Sequence, residues 1–207
     1  MKRNLITAAA GIIVMALGLP ASAADIVDEW ASVKAPAAPT LKEVKVDPKT
    51  TALLMLDFMK QNCGQRPRCV ATLPAMKKLL ADARAAKATV IYSIIANSTI
   101  ADVLPDVAAQ GEPSVQGGVD KFRNTELEKI LKDKGITTVI AVGTSANGAV
   151  LYTGSGAVLR GMNLIVPVDG MSSVEAYADY GTVLTFMSAP LISAKTTLTR
   201  STMIKFQ

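Results

Sequence analysis

Short apolar runs alternate with longer segments of helical periodicity from about residue 51 onward. The short runs are rich in Val, Ile and Leu, as expected for strands of a sheet that is covered on both faces. The alternation of such strands with helices predicts βαβ units and a three-layer α/β/α fold with a mostly parallel central sheet. We predict strands over 52–56, 89–95, 138–142, 164–168 and 194–198, and helices over 72–86, 124–134, 148–159 and 180–189.

The first residues have the pattern of a secretory signal peptide. Lys2 and Arg3 precede an apolar stretch over 5–19, and an A-x-A cleavage sequence ends at Ala23. A retained membrane anchor is the alternative, but the stretch is shorter than the roughly 20 apolar residues that span a bilayer. We therefore predict a signal peptide over 1–23 and a periplasmic or secreted mature protein.

The residues after the signal divide into two parts. Residues 24–49 are polar and contain three prolines, which indicates an N-terminal arm that wraps over the surface, with a short strand over 41–46. Residues 50–207 are numerous enough for one domain with its own hydrophobic core.

The charge of the chain narrows the range of partners. Removing Lys2 and Arg3 with the signal lowers the net charge from +5 to +3, and the basic residues are spread along the chain. This balance argues against nucleic-acid binding. No later segment is apolar enough to span a bilayer, so we expect no membrane contact after cleavage. We expect a small molecule as the partner. A homo-oligomer is also possible.

The chain contains no histidine. This absence excludes Ser-His-Asp and Cys-His catalysis and removes the commonest zinc ligand. We predict no metal site and no cofactor.

The two cysteines, Cys63 and Cys69, lie in a polar loop together with Arg66 and Arg68. In an oxidising compartment this spacing favours a local disulfide. The alternative is a reactive thiol, because neighbouring arginines lower the pKa of a cysteine.

Polar residues follow two predicted strands, where sites of parallel α/β folds gather. Asp57 ends the strand over 52–56, and burial there would suit acid–base chemistry, although it could also cap a turn. Lys121 could reach such a carboxylate or lie in solvent.

The strand over 138–142 runs into a turn with small residues and then into a helix. Asn147 could cap this helix and leave the N–H groups of Gly148 and Ala149 free for an anion or oxyanion. Close packing against the sheet would explain the small residues equally well.

Taken in order, these features resemble the isochorismatase-like hydrolase superfamily, whose best-known members are cysteine hydrolases such as nicotinamidases. Residues 54–57 resemble the strand that ends in the family's catalytic Asp. Residues 122–127 resemble its F-x-x-T-x-L helix start, which follows the catalytic Lys. Residues 143–153 resemble the G-x-x-T-x-x-C-V-x-x-T nucleophile turn. The similarity covers about 51–198 and implies a Rossmann-like fold of this family.

The resemblance assigns catalytic positions to Asp57, Lys121 and Ala149, and substrate contacts to Thr144, Ser145, Asn147 and Gly148. It also implies a non-proline cis peptide between Thr144 and Ser145. The departures are that Ala149 replaces the nucleophilic cysteine, that Lys121 lies closer to the helix than usual, and that Met59 stands at the usual position of a Gln.

Two hypotheses follow from this resemblance. The first is a hydrolase without a cysteine nucleophile, similar to the true isochorismatases, in which Asp57 protonates an enol ether carbon and water attacks. The second is a catalytically inactive small-molecule binding or assembly module on the same fold. A weaker third idea makes Ser145 or Cys63 a substitute nucleophile, although neither has an evident base.

Overall fold

The computed structural model describes residues 24–207, so the predicted signal peptide lies outside the described residues. Contacts divide the chain into two units, with the boundary between Ala38 and Pro39. In the first unit the described part forms one short helix, α1 (Ile26–Glu29), which Asp25 caps with its side chain.

The second unit is built around a parallel sheet. Its strands are β2 (Thr51–Leu56), β3 (Thr89–Ile94), β4 (Ser114–Gln116), β5 (Thr138–Thr144), β6 (Asn163–Pro167), β7 (Met171–Ser172) and β8 (Thr196–Thr199). The spatial order is β4-β3-β2-β5-β6-β8, and β7 adds a short parallel pairing with the end of β5. The five strands predicted for this sheet are confirmed within two residues at each end.

A separate two-stranded parallel sheet joins β1 (Val44–Val46) to β9 (Ile204–Phe206). The backbone N–H of Gln207 also donates to the carbonyl of Val46 at 2.9 Å. The second part of the predicted arm, from residue 39, therefore belongs to the main unit and pairs within it.

Helices cover both faces of the central sheet. They are α2 (Pro67–Val70), α3 (Leu73–Ala85), α4 (Leu127–Asp133), α5 (Leu151–Leu159) and α6 (Ala176–Ser188). The helix α3 buries Met76 and Leu79 in the same cluster as Leu53 and Met55 of β2. The alternate β2 positions, such as Leu54, pack in a second cluster with side chains of α4, α5 and α6. The three-layer α/β/α prediction is confirmed.

Three helix starts differ from the prediction. The predicted helix over 148–159 begins as an α-helix only at Leu151, after a π-helical turn over Ala146–Val150. The predicted helix over 124–134 begins only at Leu127, because Asn124 has a φ of 58° and is not helical. The predicted helix over 180–189 begins earlier, after the extended residue Glu175, because the Ala-Tyr-Ala-Asp segment before Tyr180 continues the helical turn. No helix within residues 24–207 is both long and apolar enough to cross a membrane.

Candidate active site

A buried ion pair occupies the carboxyl end of the sheet. Asp57 directly follows β2, and its Oδ2 accepts a hydrogen bond from Lys121 Nζ at 2.8 Å. Its other oxygen, Oδ1, accepts from Ser93 Oγ at 2.7 Å. Lys121 is 1% exposed and Asp57 5%. The interpretation of Lys121 as a solvated cation is therefore wrong, since the loop turns its side chain inward to the carboxylate.

Several contacts hold Lys121 in this position. Its backbone N–H donates to Thr153 Oγ1 of α5 at 3.1 Å, and Thr153 in turn donates to the carbonyl of Val119 at 3.2 Å. Its Nζ also donates to the carbonyl of Gly117 at 3.2 Å. The next residue, Phe122, is buried below the guanidinium of Arg160, with 4.3 Å between the Cζ atom and the ring centre. The loop that carries Lys121 is thus anchored on α5.

The strand β5 brings the second part of the site next to Asp57. At Gly143 the backbone has a φ of 143°, and a Cβ atom there would lie 2.0 Å from the carbonyl oxygen of Leu56. Only glycine therefore lets the end of β5 approach the residue before Asp57 so closely. The next peptide bond but one, between Thr144 and Ser145, is cis, as the resemblance implied.

The chain then forms a single π-helical turn over Ala146–Val150, which leads directly into α5. Ala149 lies in this turn and is 2% exposed. The N–H of Gly148 donates to the carbonyl of Ser145 at 3.0 Å. The prediction of a free amide at Gly148 is therefore wrong, because the wider turn begins earlier than the predicted helix.

The prediction that Asn147 caps this helix is also wrong. Asn147 lies inside the turn, where its Oδ1 accepts from Ser173 Oγ at 3.1 Å. The first residue before the turn, Ser145, makes no capping hydrogen bond with its side chain. The side chain of Asn147 is thus tied to the segment after β7.

Cys63 and Cys69 are joined in a disulfide, and both are fully buried. The disulfide prediction is confirmed and the reactive-thiol alternative is wrong. The loop places Arg66 over the turn, where its Nη1 donates to Thr144 Oγ1 at 3.1 Å. Thr144 itself donates to the carbonyl of Ser172 at 3.0 Å.

Sequence reasoning missed two residues of this site, Ser93 and Arg66. Ser93 could have been found from strand register, because it pairs with Leu56 and is a polar residue in a buried strand. The contact of Arg66 depends on how a loop folds back over another strand, and no sequence pattern specifies it. Among residues 24–207, no group of three or more histidine, cysteine, aspartate or glutamate side chains is placed to hold a metal ion.

The fold is shared with solved structures of low sequence identity. A cysteine hydrolase from Pseudomonas syringae pv. phaseolicola 1448A is 20% identical, with 80% of this chain and 95% of that chain covered and a TM-score of 0.68. An N-carbamoylsarcosine amidase from Thermoplasma acidophilum is 19% identical, with 73% and 96% covered and a TM-score of 0.62. A nicotinamidase from Staphylococcus aureus is 18% identical, with 67% and 92% covered and a TM-score of 0.61.

No curated protein matches the sequence. The family model for the isochorismatase domain matches residues 51–196, which is well over half of the chain. Together with the shared fold, this match shows that the chain belongs to the isochorismatase family of hydrolases.

Proposed function

We propose that this protein is an exported hydrolase that acts on a small molecule without a cysteine nucleophile, with Asp57 as the general acid/base. The observation that carries the proposal is the buried ion pair between Asp57 and Lys121, at 2.8 Å. The residue before Asp57 pairs with the end of β5, which leads into the turn that contains Ala149. Burying two charges costs free energy even when they are paired, and apolar side chains would fill the same space at a lower cost. The pair therefore favours a functional role over a purely structural one.

The hydrogen bonds to Asp57 favour the role of a base in the first step. Both carboxylate oxygens accept, one from Ser93 and one from Lys121, which is the pattern of a carboxylate rather than a neutral acid. In the proposed reaction Asp57 takes a proton from water, and the hydroxide attacks the substrate. The same proton then goes to the leaving group, so water is added across the broken bond and Asp57 is restored.

Ala149 and Lys121 have complementary parts in this scheme. A methyl group at Ala149 cannot attack a substrate, so water supplies the nucleophile and no covalent intermediate forms. The ammonium of Lys121 stabilises negative charge that develops near Asp57. In this scheme Thr144, Ser145 and the turn contact the substrate.

The test is hydrolysis of a small panel. It contains a primary amide and a chromogenic ester, whose carbonyl carbon the activated water can attack, and a carboxylated vinyl ether, which reacts only if Asp57 first protonates its carbon. We expect the protein to hydrolyse at least one of these compounds, and we expect thiol-alkylating reagents not to inhibit this hydrolysis. In Asp57→Asn it should fall by about 10²- to 10⁴-fold, the usual contribution of a general acid–base group. Circular dichroism and thermal unfolding would establish that the variant is folded.

Asp169→Asn is the matched control. This aspartate also follows a strand of the sheet, but both of its oxygens accept from Ser201, at 2.8 and 2.6 Å. It should lose stability and keep its turnover. Equal losses in the two variants, or no turnover of any compound, would count against the hydrolase.

The second candidate is a non-catalytic binding or assembly module. It is favoured by the absence of a nucleophile at Ala149 and by the burial of Asp57, Lys121 and Ala149, each at most 5% exposed. A folded protein that binds small molecules at this edge of the sheet, and turns over none of them, would support the module.

A further inference from the structure

A crevice of about 360 Å³ lies at the carboxyl end of the sheet, between the disulfide loop and the segment after β7. Its walls include side chains from both sides, among them Asn62, Gln65, Arg66, Pro67, Ser173 and Val174. One wall is continuous with the site, because Ser173 bonds to Asn147 in the turn that carries Ala149. The crevice is large enough for a small organic molecule.

The two arginines of the disulfide loop have different electrostatic surroundings. Arg68 forms an ion pair with Asp179. Within residues 24–207, no carboxylate lies within ion-pair distance of Arg66, whose one polar side-chain contact is the hydroxyl of Thr144. Arg66 is thus a half-buried cation whose charge no acidic residue of this part of the chain neutralises.

Arg66 is also held in place from several sides. The disulfide fixes the loop three residues before and three residues after it, at two fully buried cysteines. The Thr144 hydroxyl fixes one N–H of the guanidinium, at 3.1 Å. A guanidinium has five N–H donors in a planar fork, so further donors stay available to a ligand. A fork held in advance loses little entropy when it binds, and it matches the two oxygens of a carboxylate.

We propose that Arg66 binds the carboxylate of the ligand, so that this site takes small organic monocarboxylates in preference to their neutral analogues. Because Arg66 touches the residue that begins the cis peptide, a carboxylate held there leaves the rest of a small molecule beside the turn with Ala149. The inference deepens the proposed function by naming a substrate class. Its consequence for catalysis rests on that function, whereas the binding of a carboxylate does not.

The test compares benzoate with benzamide, which has nearly the same shape and no charge. Each would be titrated into the wild-type protein, with the arginine Nε–Hε resonances followed by NMR and the Arg66 signal identified by its loss in Arg66→Gln. We expect benzoate to bind at least tenfold more tightly than benzamide. Arg66→Gln should weaken benzoate binding by about tenfold to a hundredfold and leave benzamide unchanged. Arg66→Lys should restore part of the preference, since it keeps the charge without the fork.

Two controls separate recognition from overall charge. Arg68 also lines the crevice, but its charge is already paired with Asp179. The double variant Arg68→Gln with Asp179→Asn removes this ion pair without changing the net charge and should keep the preference. Lys49→Gln removes one exposed charge before β2, at the opposite end of that strand, and should also keep it. No saturable benzoate binding, equal binding of the two probes, or full benzoate affinity in Arg66→Gln would overturn the proposal.

Turnover and benzoate binding, both measured on the wild-type protein, distinguish this inference from the proposed function. A wild-type protein that prefers benzoate but turns over no compound of the panel means that the hydrolase proposal fails and the carboxylate site stands. If turnover requires Asp57 but the protein shows no benzoate preference, the hydrolase proposal stands and the carboxylate site fails.

Discussion

At the scale of single residues, Ala149 defines what chemistry this site can perform. Its side chain is buried in the π-helical turn, at the position where the family resemblance places a nucleophilic cysteine. Both native cysteines are joined in the disulfide, so a thiol introduced at this position would be the only one in the protein. Labelling experiments can therefore report on this one position without background.

We predict that Ala149→Cys creates a fast-alkylating thiol. The carboxylate of Asp57 can accept its proton and Lys121 favours the thiolate, so the pKa of the new thiol should fall below the ordinary value of about 8.5. The rate of alkylation by iodoacetamide as a function of pH measures this value. Some amidase or esterase activity should accompany it.

The matched control is the same substitution combined with Asp57→Asn, which removes the base and keeps the shape. Its thiol should react like an ordinary cysteine. If Ala149→Cys alkylates no faster than free cysteine, and Asp57→Asn makes no difference, the site has lost its catalytic arrangement and the non-catalytic module becomes the better hypothesis.

Residue positions could be predicted where a local motif specifies them. Asp57 was recognisable because it ends a continuous apolar strand, and the cis peptide before Ser145 followed from the family pattern. The sequence did not show whether the Gly148 amide is free or hydrogen-bonded. Small residues allow both an ordinary helix start and a π-helical turn, and only packing against neighbouring segments decides between them.

At the scale of elements, the disulfide loop stabilises the carboxyl edge of the sheet. Its two cysteines pack in the same buried cluster as Met55 of β2 and Leu73 of α3. The cross-link therefore connects a core on one face of the sheet to the loop that carries Arg66.

We predict that Cys63→Ala with Cys69→Ala lowers the free energy of unfolding by about 2 kcal/mol, because a closed loop of this short length restricts the unfolded chain by about that amount. Urea unfolding of the double variant and of the wild-type protein measures the difference. Wild-type protein kept fully reduced is the control and should resemble the double variant. An unchanged midpoint would mean that the loop adds no stability.

Elements with a strong period were predictable, and those that depend on partners were not. The helix α3 repeats its buried positions at Met76, Leu79 and Ala83, which one amphipathic pattern specifies. The two-residue strand β7 exists only because it lies beside the end of β5, and no pattern of two residues can specify it. The start of α6 was misplaced because its first turn carries few apolar residues that face the core.

At the scale of the whole molecule, the predicted export would place the proposed hydrolase and its substrate in the cell envelope or outside the cell. We predict that the full sequence, expressed in a Gram-negative bacterium, yields a mature chain in the periplasm that begins at Ala24. Intact-mass measurement of the periplasmic fraction tests this prediction and reports the disulfide in the same spectrum, since oxidation removes two hydrogens.

A matched variant is Ala23→Leu, which places a bulky residue where the A-x-A signal requires a small one. It should accumulate as the uncleaved precursor. Full-length wild-type protein in the cytosol would contradict export. The protein would then act in the reducing cytosol and on cytosolic substrates, instead of in the oxidising cell envelope.

The pairing of β1 with β9 affects how the chain acquires its structure over time. The paired residues Val44 and Ile204 are about 160 positions apart, so at translation speeds of about 5–20 residues per second the first waits roughly 10 to 30 seconds for its partner to be made. Contacts of such long range also form slowly. The small sheet can therefore close only after the strands of the central sheet have all been synthesised. Until then the valines of β1 lack their strand partner, so chaperones can still bind this segment of the nascent chain.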